Sequence, residues 1–213
     1  MAPKRYDFDQ SRLRLQTIIG LRWVAVIGQT ITVLAVYFGF GYPLPFFLCF
    51  AIIGMSAVLN VALHLNFPRT QRVPSFHATL LLGYDLIQLS ARLGVTGGLH
   101  NPFALLIVVP VAVSASTQPT RNTALLSGLA LTLVSALAFF HWPLPWLPGG
   151  LNMPPVYMLG IWFALVACIA FTAVYAWRTA LENRQMSHAL AATEMLLARE
   201  QQLTALNSLA AAA

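Results

Sequence analysis

The segment 97–103 reads Gly-Gly-Leu-His-Asn-Pro-Phe and connects two long apolar runs without a formal charge of its own. Gly97 and Gly98 can take the left-handed conformation that commonly ends a helix. Asn101 followed by Pro102 is typical of a helix start, with the amide as N-cap and the proline at the first helical position. A tight hairpin therefore explains five of the seven residues and leaves the imidazole and the phenyl ring unexplained.

The same connector could also bind a planar ligand. Its turn opens amide N–H groups and the Asn101 side chain toward one spot beside Phe103, and His100 is an additional candidate donor. A ring with carbonyl acceptors and an apolar tail, such as a membrane quinone, would match these groups, because ligand sites combine apolar walls with a few placed polar atoms. Residue types alone leave both interpretations open, since turns need such residues as well.

The composition indicates a membrane protein. The chain has 213 residues, of which 58% are hydrophobic and 8% charged, and its mean hydropathy is +0.72. A helix needs roughly 20 apolar residues to cross a bilayer, and unpaired backbone cannot face lipid. We therefore predict an all-α membrane protein with six transmembrane helices followed by a cytoplasmic dimerisation helix. The six spans are expected at residues 18–40, 44–65, 76–95, 102–118, 122–141 and 155–178.

The distribution of basic residues predicts the orientation of these spans. The net charge of +6 is concentrated at the N-terminus, in the second connector with Arg69 and Arg72, in the fourth with Arg121, and after the sixth span. The first, third and fifth connectors carry no charge. Because cytoplasmic loops are enriched in Lys and Arg, both termini are predicted to be cytoplasmic, and the charge indicates topology rather than nucleic-acid binding.

Three parts follow from this organisation: a cytoplasmic N-terminal segment over 1–17, a six-helix transmembrane domain over 18–178, and a cytoplasmic helical linker over 179–213. The linker is rich in good helix formers, and its apolar residues partly follow heptad spacing. A parallel dimer stalk and a solvated amphipathic tail both agree with that pattern.

Polar residues inside the third span form a second group. Asp85, Gln88 and Arg92 are spaced i, i+3 and i+7 and share one helical face. They could be a polar stripe that joins helices, with Asp85 paired to an arginine such as Arg22, although Arg22 lies nearer the cytoplasmic end. They could also couple an outer ligand site to the cytoplasm.

Other candidates are weaker. His100 and His141 both fall near the predicted outer face, but two histidines lack a convincing ligand spacing, so we expect no metal site. Cys49 and Cys168 lie inside spans, where a thiol usually behaves as a small apolar group. Pro110 interrupts the fourth span and is expected to kink it.

The pattern Gly-Gly-x-x-Asn-Pro-Phe between the third and fourth of six spans resembles the RegB/PrrB family of redox-sensing bacterial histidine kinases. The C-terminal stretch 201–213 (QQLTALNSLAAAA) is similar to the alanine-rich run that precedes the phosphoaccepting histidine in that family. The resemblance covers essentially the whole chain, and these two motifs are its specific part. It implies a ubiquinone-binding element made of Gly97, Gly98, His100, Asn101, Pro102 and Phe103.

The resemblance also implies a role. The chain would be the sensor portion of a two-component kinase in the bacterial inner membrane. It would act as a homodimer and signal to a cognate response regulator through a kinase core, with oxidised quinone lowering kinase activity. No phosphoacceptor box and no ATP-binding half follow Ala213, so we expect no catalytic residues here and no activity of the chain alone. The family's redox-active cysteine belongs to the kinase portion and is not transferred to Cys49 or Cys168.

A quinone-dependent membrane enzyme, or its anchor subunit, is the alternative interpretation. Such a protein needs redox cofactors, and the sequence has no cysteine cluster and no dinucleotide fingerprint.

Overall fold

The computed structural model describes residues 15–66, 73–144 and 153–212, and every regular element within them is helical. The all-α class is thereby confirmed. The N-terminal residues 1–14, the basic connector with Arg69 and Arg72, and Ala213 lie outside the described residues. The helices are α1 (Leu15–Leu34, continued by a π-helical turn over Ala35–Gly39), α2 (Phe46–Asn66), α3 (Ser75–Val95), α4 (Val108–Thr117), α5 (Thr120–Phe139) and α6 (Pro155–Ala212), with 3-10 segments at Gly98–His100 and Pro102–Ile107 between α3 and α4.

The helical segments begin within a few residues of the six apolar stretches of the sequence, and all but α6, which continues well beyond residue 178, end within a few residues of them. Four helices within the described ranges are long and apolar enough to cross a membrane, and they cover Ile18–Gly39, Phe46–Asn66, Thr120–Phe139 and Pro155–Glu182. The apolar helix Pro102–Thr117 is shorter, and α3 is as long as α2 but carries several polar side chains. The helices thus indicate a membrane protein, whereas the count of six spans stays a prediction.

Helix α3 lies at the centre of the bundle. It packs against α2 on one side and against α4 and α5 on the other, and α6 packs against α4 and α5. The main core lies between α3, α4, α5 and α6, and it includes the fully buried Leu86, Ile107, Val111, Val134 and Ile169. The short turn Gly98–His100 is part of this core, since Leu99 is also fully buried and the turn contacts both α5 and α6.

Large apolar side chains also cover the outside of the helices. Phe47, Leu65, Phe139 and Val156 are each more than three-quarters exposed. An apolar exterior of this kind is expected for helices that face lipid, where burial from water does not drive helices together.

Helix α6 runs without interruption for 58 residues. Its candidate span ends at Glu182, and the same helix continues to Ala212. At 1.5 Å per residue the helix is about 87 Å long. The expected helical continuation of the last apolar stretch is therefore present in the structure.

Pro110 occupies the third position of α4, directly after the change from 3-10 to α-helical geometry. Proline has no backbone N–H to donate to the carbonyls of the 3-10 segment Pro102–Ile107, which runs directly into α4. Pro110 thus lies close to the point where the helix type changes, and the kink expected from the sequence stays a prediction.

Candidate functional site

The backbone of the connector 97–103 has the conformation that its sequence predicts. Gly97 (φ 109°) and Gly98 (φ 56°) both lie in the left-handed region after α3. Asn101 is extended and caps the 3-10 segment that begins at Pro102. The glycine and proline positions are thus dictated by the turn itself.

The two glycines also allow a second connector to approach. A Cβ atom at Gly98 would overlap the imidazole of His141, and one at Gly97 would overlap the side chain of Leu144. His141 and Leu144 belong to the segment that follows α5. The connector between α3 and α4 and the connector after α5 are therefore packed directly against each other, and only glycine leaves room for this contact.

The polar side-chain atoms of Asn101 are hydrogen-bonded within the turn. Its Oδ1 accepts a hydrogen bond from the Phe103 amide at 3.0 Å, and its Nδ2 donates to the Thr96 carbonyl at 3.0 Å and to Thr96 Oγ1 at 2.9 Å. Thr96 is buried and in turn donates to the Arg92 carbonyl. The sequence predicts that this amide opens toward a ligand; in the structure its polar atoms join the two ends of the turn.

His100 and His141 form a pair. The Nδ1 atom of His100 lies 3.2 Å from Nε2 of His141, and the two rings stack with centroids 5.1 Å apart. The other nitrogen of His141, Nδ1, is buried without a hydrogen-bond partner. Partial burial lowers the pKa of His141, and the neighbouring His100 lowers it further. Positive charge on both rings at once is disfavoured, because two imidazolium groups at this distance would repel each other.

An open cleft of about 470 Å³ lies beside the pair. Ala91, Gly94 and Val95 at the end of α3 form one wall, and the segment 139–142 forms the other. The Trp142 amide donates to the Gly94 carbonyl at 2.7 Å and ties the two walls together. No residue of the connector 97–103 lines this cleft, so His141 is the link between the cleft and the connector.

The polar residues of α3 contact α1 and α2. Arg22 of α1 is 5% exposed, and its Nη2 atom lies 3.2 Å from Asp85 Oδ1. The guanidinium also lies over the ring of Tyr84, with Cζ 5.1 Å from the ring centroid. Its Nε and Nη1 atoms have no hydrogen-bond partner in the described structure.

Gln88 continues the same stripe. Its Nε2 donates to Gln29 Oε1 at 3.1 Å and approaches the Ile52 carbonyl at 3.5 Å. Arg92 is also buried, at 7% exposure. Asp85 and Gln88 therefore join α3 to its neighbours. These contacts match the interpretation as a polar stripe between helices, and the further role of a coupling path stays a prediction.

Cys49 lies close enough to Arg92 for the two groups to interact electrostatically, whereas Cys168 lies on α6. Cys49 is fully buried in α2 and Cys168 is exposed on α6, and neither forms a disulfide. Among the described residues, no group of three or more His, Cys, Asp or Glu side chains could hold a metal ion.

Three relationships were not predicted from the sequence. They are the pairing of His100 with His141, the cleft wall formed by 139–142, and the hydrogen bonds of the Asn101 side chain to Thr96. The absence of charge in both connectors predicts that they lie on one side of the membrane. That signal places the two histidines near the same predicted face, but it does not pair them.

Comparison with known proteins gives one consistent match. The chain is 44% identical over 201 residues, or 94% of its length, to a protein described as "Sensor histidine kinase RegB" from Cereibacter sphaeroides, and it covers 44% of that protein. A second RegB sequence from the same species is 44% identical over 202 residues, with the same shares covered. The chain thus spans less than half the length of these relatives. No family model and no solved structure matches the chain.

Proposed function

Since the chain belongs to the RegB family of sensor histidine kinases, we propose that it is the membrane sensor portion of a redox-responsive two-component kinase. It binds ubiquinone from the lipid phase and passes the redox state of the quinone pool to a cytoplasmic kinase core. The observation that carries this proposal is the 44% identity extending over 94% of the chain.

The proposed quinone site is the connector with Gly97, Gly98, His100, Asn101, Pro102 and Phe103. Its residues have different roles. The glycines admit the neighbouring connector, and Asn101 with Pro102 holds the turn. His100 and Phe103, which is 39% exposed, are the side chains left to meet a ligand. An aromatic wall beside a hydrogen-bonding group suits a flat ring with carbonyl oxygens.

The signal travels from this connector through α6. The turn Gly98–His100 contacts α6, which continues without a break beyond its apolar part. A ligand shifts an equilibrium between two arrangements only by binding one of them more tightly. In this proposal the arrangement of the turn differs between the quinone-bound and quinol-bound states, and α6 follows it. The protein acts as a homodimer through α6, and the kinase core signals to its response regulator.

The proposed topology is six spans in the bacterial inner membrane with both termini in the cytoplasm. It is supported by the bounds of the six apolar helical stretches and by the alternation of basic and uncharged connectors. Single cysteines placed at Gly41, Gln118 and His141 in a variant lacking Cys49 and Cys168 test it with a membrane-impermeant thiol reagent. Labelling of intact cells is expected at Gly41 and His141 only. Labelling at Gln118 would contradict the six-span arrangement.

Quinone binding tests the function directly. The chain in lipid nanodiscs is titrated with a short-tailed ubiquinone, and binding is followed by quenching of tryptophan fluorescence. Phe103→Ala is expected to weaken binding about fivefold, as for loss of one aromatic contact. Phe76→Ala is the matched control, because Phe76 is an exposed phenylalanine at the opposite end of α3. Absence of saturable binding to the unaltered chain would overturn the proposed function.

A further inference from the structure

The cleft beside the connector has features of a ligand site that the family motif does not include. Its walls come from the end of α3 and from 139–142, where Phe139, Phe140 and Trp142 are all more than half exposed. Its volume of about 470 Å³ lies in the range of small-molecule sites. Within the described structure, His141 Nδ1 is the only buried, unpartnered side-chain polar atom that belongs to a cleft-lining residue.

We propose that the segment 139–142 forms the second half of the quinone site, with His141 Nδ1 bonding the quinone oxygen and the His100–His141 pair distinguishing quinone from quinol. This inference rests on the proposed function and adds a ligand contact outside the motif. The aromatic side chains of the segment supply flat apolar surface for the ring. His141 supplies a polar atom that is unsatisfied without a ligand, and a buried unpaired polar group disfavours the empty state.

The distinction between the two redox states follows from the chemistry of neutral imidazole. Each ring has one N–H donor and one acceptor nitrogen. If His100 Nδ1–H donates to His141 Nε2, then the proton of His141 is on Nδ1, and that atom can donate to a quinone carbonyl. If His141 Nε2–H donates to His100 Nδ1 instead, then His141 Nδ1 is an acceptor and can bind a quinol hydroxyl.

Both arrangements are neutral and hold two ring protons. Replacing quinone by quinol therefore moves the proton of both histidines from Nδ1 to Nε2, with exchange through water and without a change in net charge. The oxidation or reduction itself takes place in the membrane pool and not at these residues. The two rings change together because they share the 3.2 Å hydrogen bond.

The buried position of His141 Nδ1 couples binding to movement. A carbonyl oxygen can reach this atom only if the surroundings of His141 rearrange. That wall is packed on Gly97 and Gly98, and the turn Gly98–His100 contacts α6. Ligand entry is thereby linked to the helix that leaves the membrane, as a sensor requires.

Fluorescence titration locates the ligand. In nanodiscs, Trp142→Phe is expected to remove the largest part of the quenching by short-tailed ubiquinone, and Trp177→Phe, an exposed tryptophan on α6, only a small part. His141→Phe is expected to weaken binding about tenfold. His141→Asn places an amide near the position of Nδ1 and is expected to remain within about threefold of the unaltered chain. Equal loss in both His141 variants would indicate a packing role and overturn the assignment.

Nitrogen NMR of histidine-labelled protein tests the pair itself. Protonated and unprotonated ring nitrogens give distinct signals, so the tautomer of each histidine can be read with quinone and with quinol bound. We expect Nδ1–H on both rings with quinone and Nε2–H on both rings with quinol. The same tautomer in both states would overturn the mechanism of distinction.

The results also separate this inference from the function on which it rests. If the unaltered chain binds no quinone, the proposed function fails and the inference fails with it. If quinone binds and Phe103→Ala weakens binding, whereas the Trp142 and His141 variants behave like the unaltered chain, the function stands and the second half of the site is wrong. His77→Asn, an exposed histidine near the start of α3, serves as the control for loss of a histidine.

Discussion

His100 and His141 are 41 residues apart in sequence, and their rings meet at 3.2 Å. This contact joins the connector between α3 and α4 to the segment after α5. Because the glycines at 97 and 98 let the backbone approach so closely, the two connectors form one packed layer at the ends of their helices. The motif 97–103 is thus half of a larger structure, and four properties of that structure and its surroundings can be measured.

Acidification is expected to destabilise the protein through His141. Its pKa is lowered in the folded state from the ordinary value of 6.5. Above that value both states are neutral and the residue contributes nothing to pH dependence. As the pH falls through 6.5, the unfolded chain takes up a proton that the folded chain resists, so stability decreases.

The measurement is the thermal unfolding midpoint in detergent between about pH 7.5 and pH 5.5. The decrease is expected to be smaller in His141→Asn than in the unaltered chain, whereas His77→Asn should retain the full decrease. If the unfolding midpoint of His141→Asn decreased as much as that of the unaltered chain, groups other than His141 would be its cause.

Alanine at Gly98 is expected to destabilise the fold. The substitution forces a side chain into the left-handed region and into the ring of His141, and backbone strain of this kind alone is about 1–3 kcal/mol. The free energy of unfolding can be measured by titration with a denaturing detergent. Gly128→Ala on α5 is the control, because its Cβ would meet nothing within 4 Å, and replacing a helical glycine by alanine usually stabilises by up to about 1 kcal/mol.

Asn101 is expected to act mainly through the turn. Asn101→Ala removes one cap hydrogen bond and two bonds to Thr96, for a loss of about 1–3 kcal/mol of unfolding free energy. Asn101→Asp keeps the oxygen that accepts from the Phe103 amide but loses the donors. Its free energy of unfolding should therefore lie between those of the unaltered chain and Asn101→Ala. Asn66→Ala, which removes an exposed bond to Ala62, should change stability little. An unchanged free energy of unfolding in Asn101→Ala would contradict the structural role of this side chain.

The ion pair between Arg22 and Asp85 is expected to behave as a coupled unit. Asp85→Leu leaves a buried guanidinium without its counter-ion and should destabilise by about 3 kcal/mol or more. Adding Arg22→Met should recover much of that loss, because an apolar pair of similar volume replaces the charges. A double-mutant cycle on the free energy of unfolding measures this coupling. Simple additivity of the two substitutions would show that the 3.2 Å contact does not stabilise the bundle.

Local features of the fold could be predicted from the sequence because their causes are local. The left-handed glycines, the Asn101 cap and the apolar stretches depend on neighbouring residues and on helix length. The positions of Asp85 and Gln88 on one face of α3 follow from helical periodicity. Their contacts with α1 and α2 agree with that expectation.

Pairing between distant residues could not be predicted in the same way. From its position along the chain, Arg22 is a weak candidate for the partner of Asp85. It lies seven residues after the start of α1, whereas Asp85 lies ten residues after the start of α3. At 1.5 Å per residue the difference is only about 5 Å, and a long arginine side chain covers it. His141 follows α5, and its contact with His100 depends on how α3 and α5 pack, which no pattern within either segment specifies.

Because α6 is one unbroken helix, a small change in its tilt is amplified at its far end. Over its length of about 87 Å, a tilt of about 5° at Pro155 displaces Ala212 sideways by roughly 8 Å, more than one full turn of helix. A small change of tilt where α6 begins would therefore be converted into a displacement at its far end that is large on the scale of a side-chain contact.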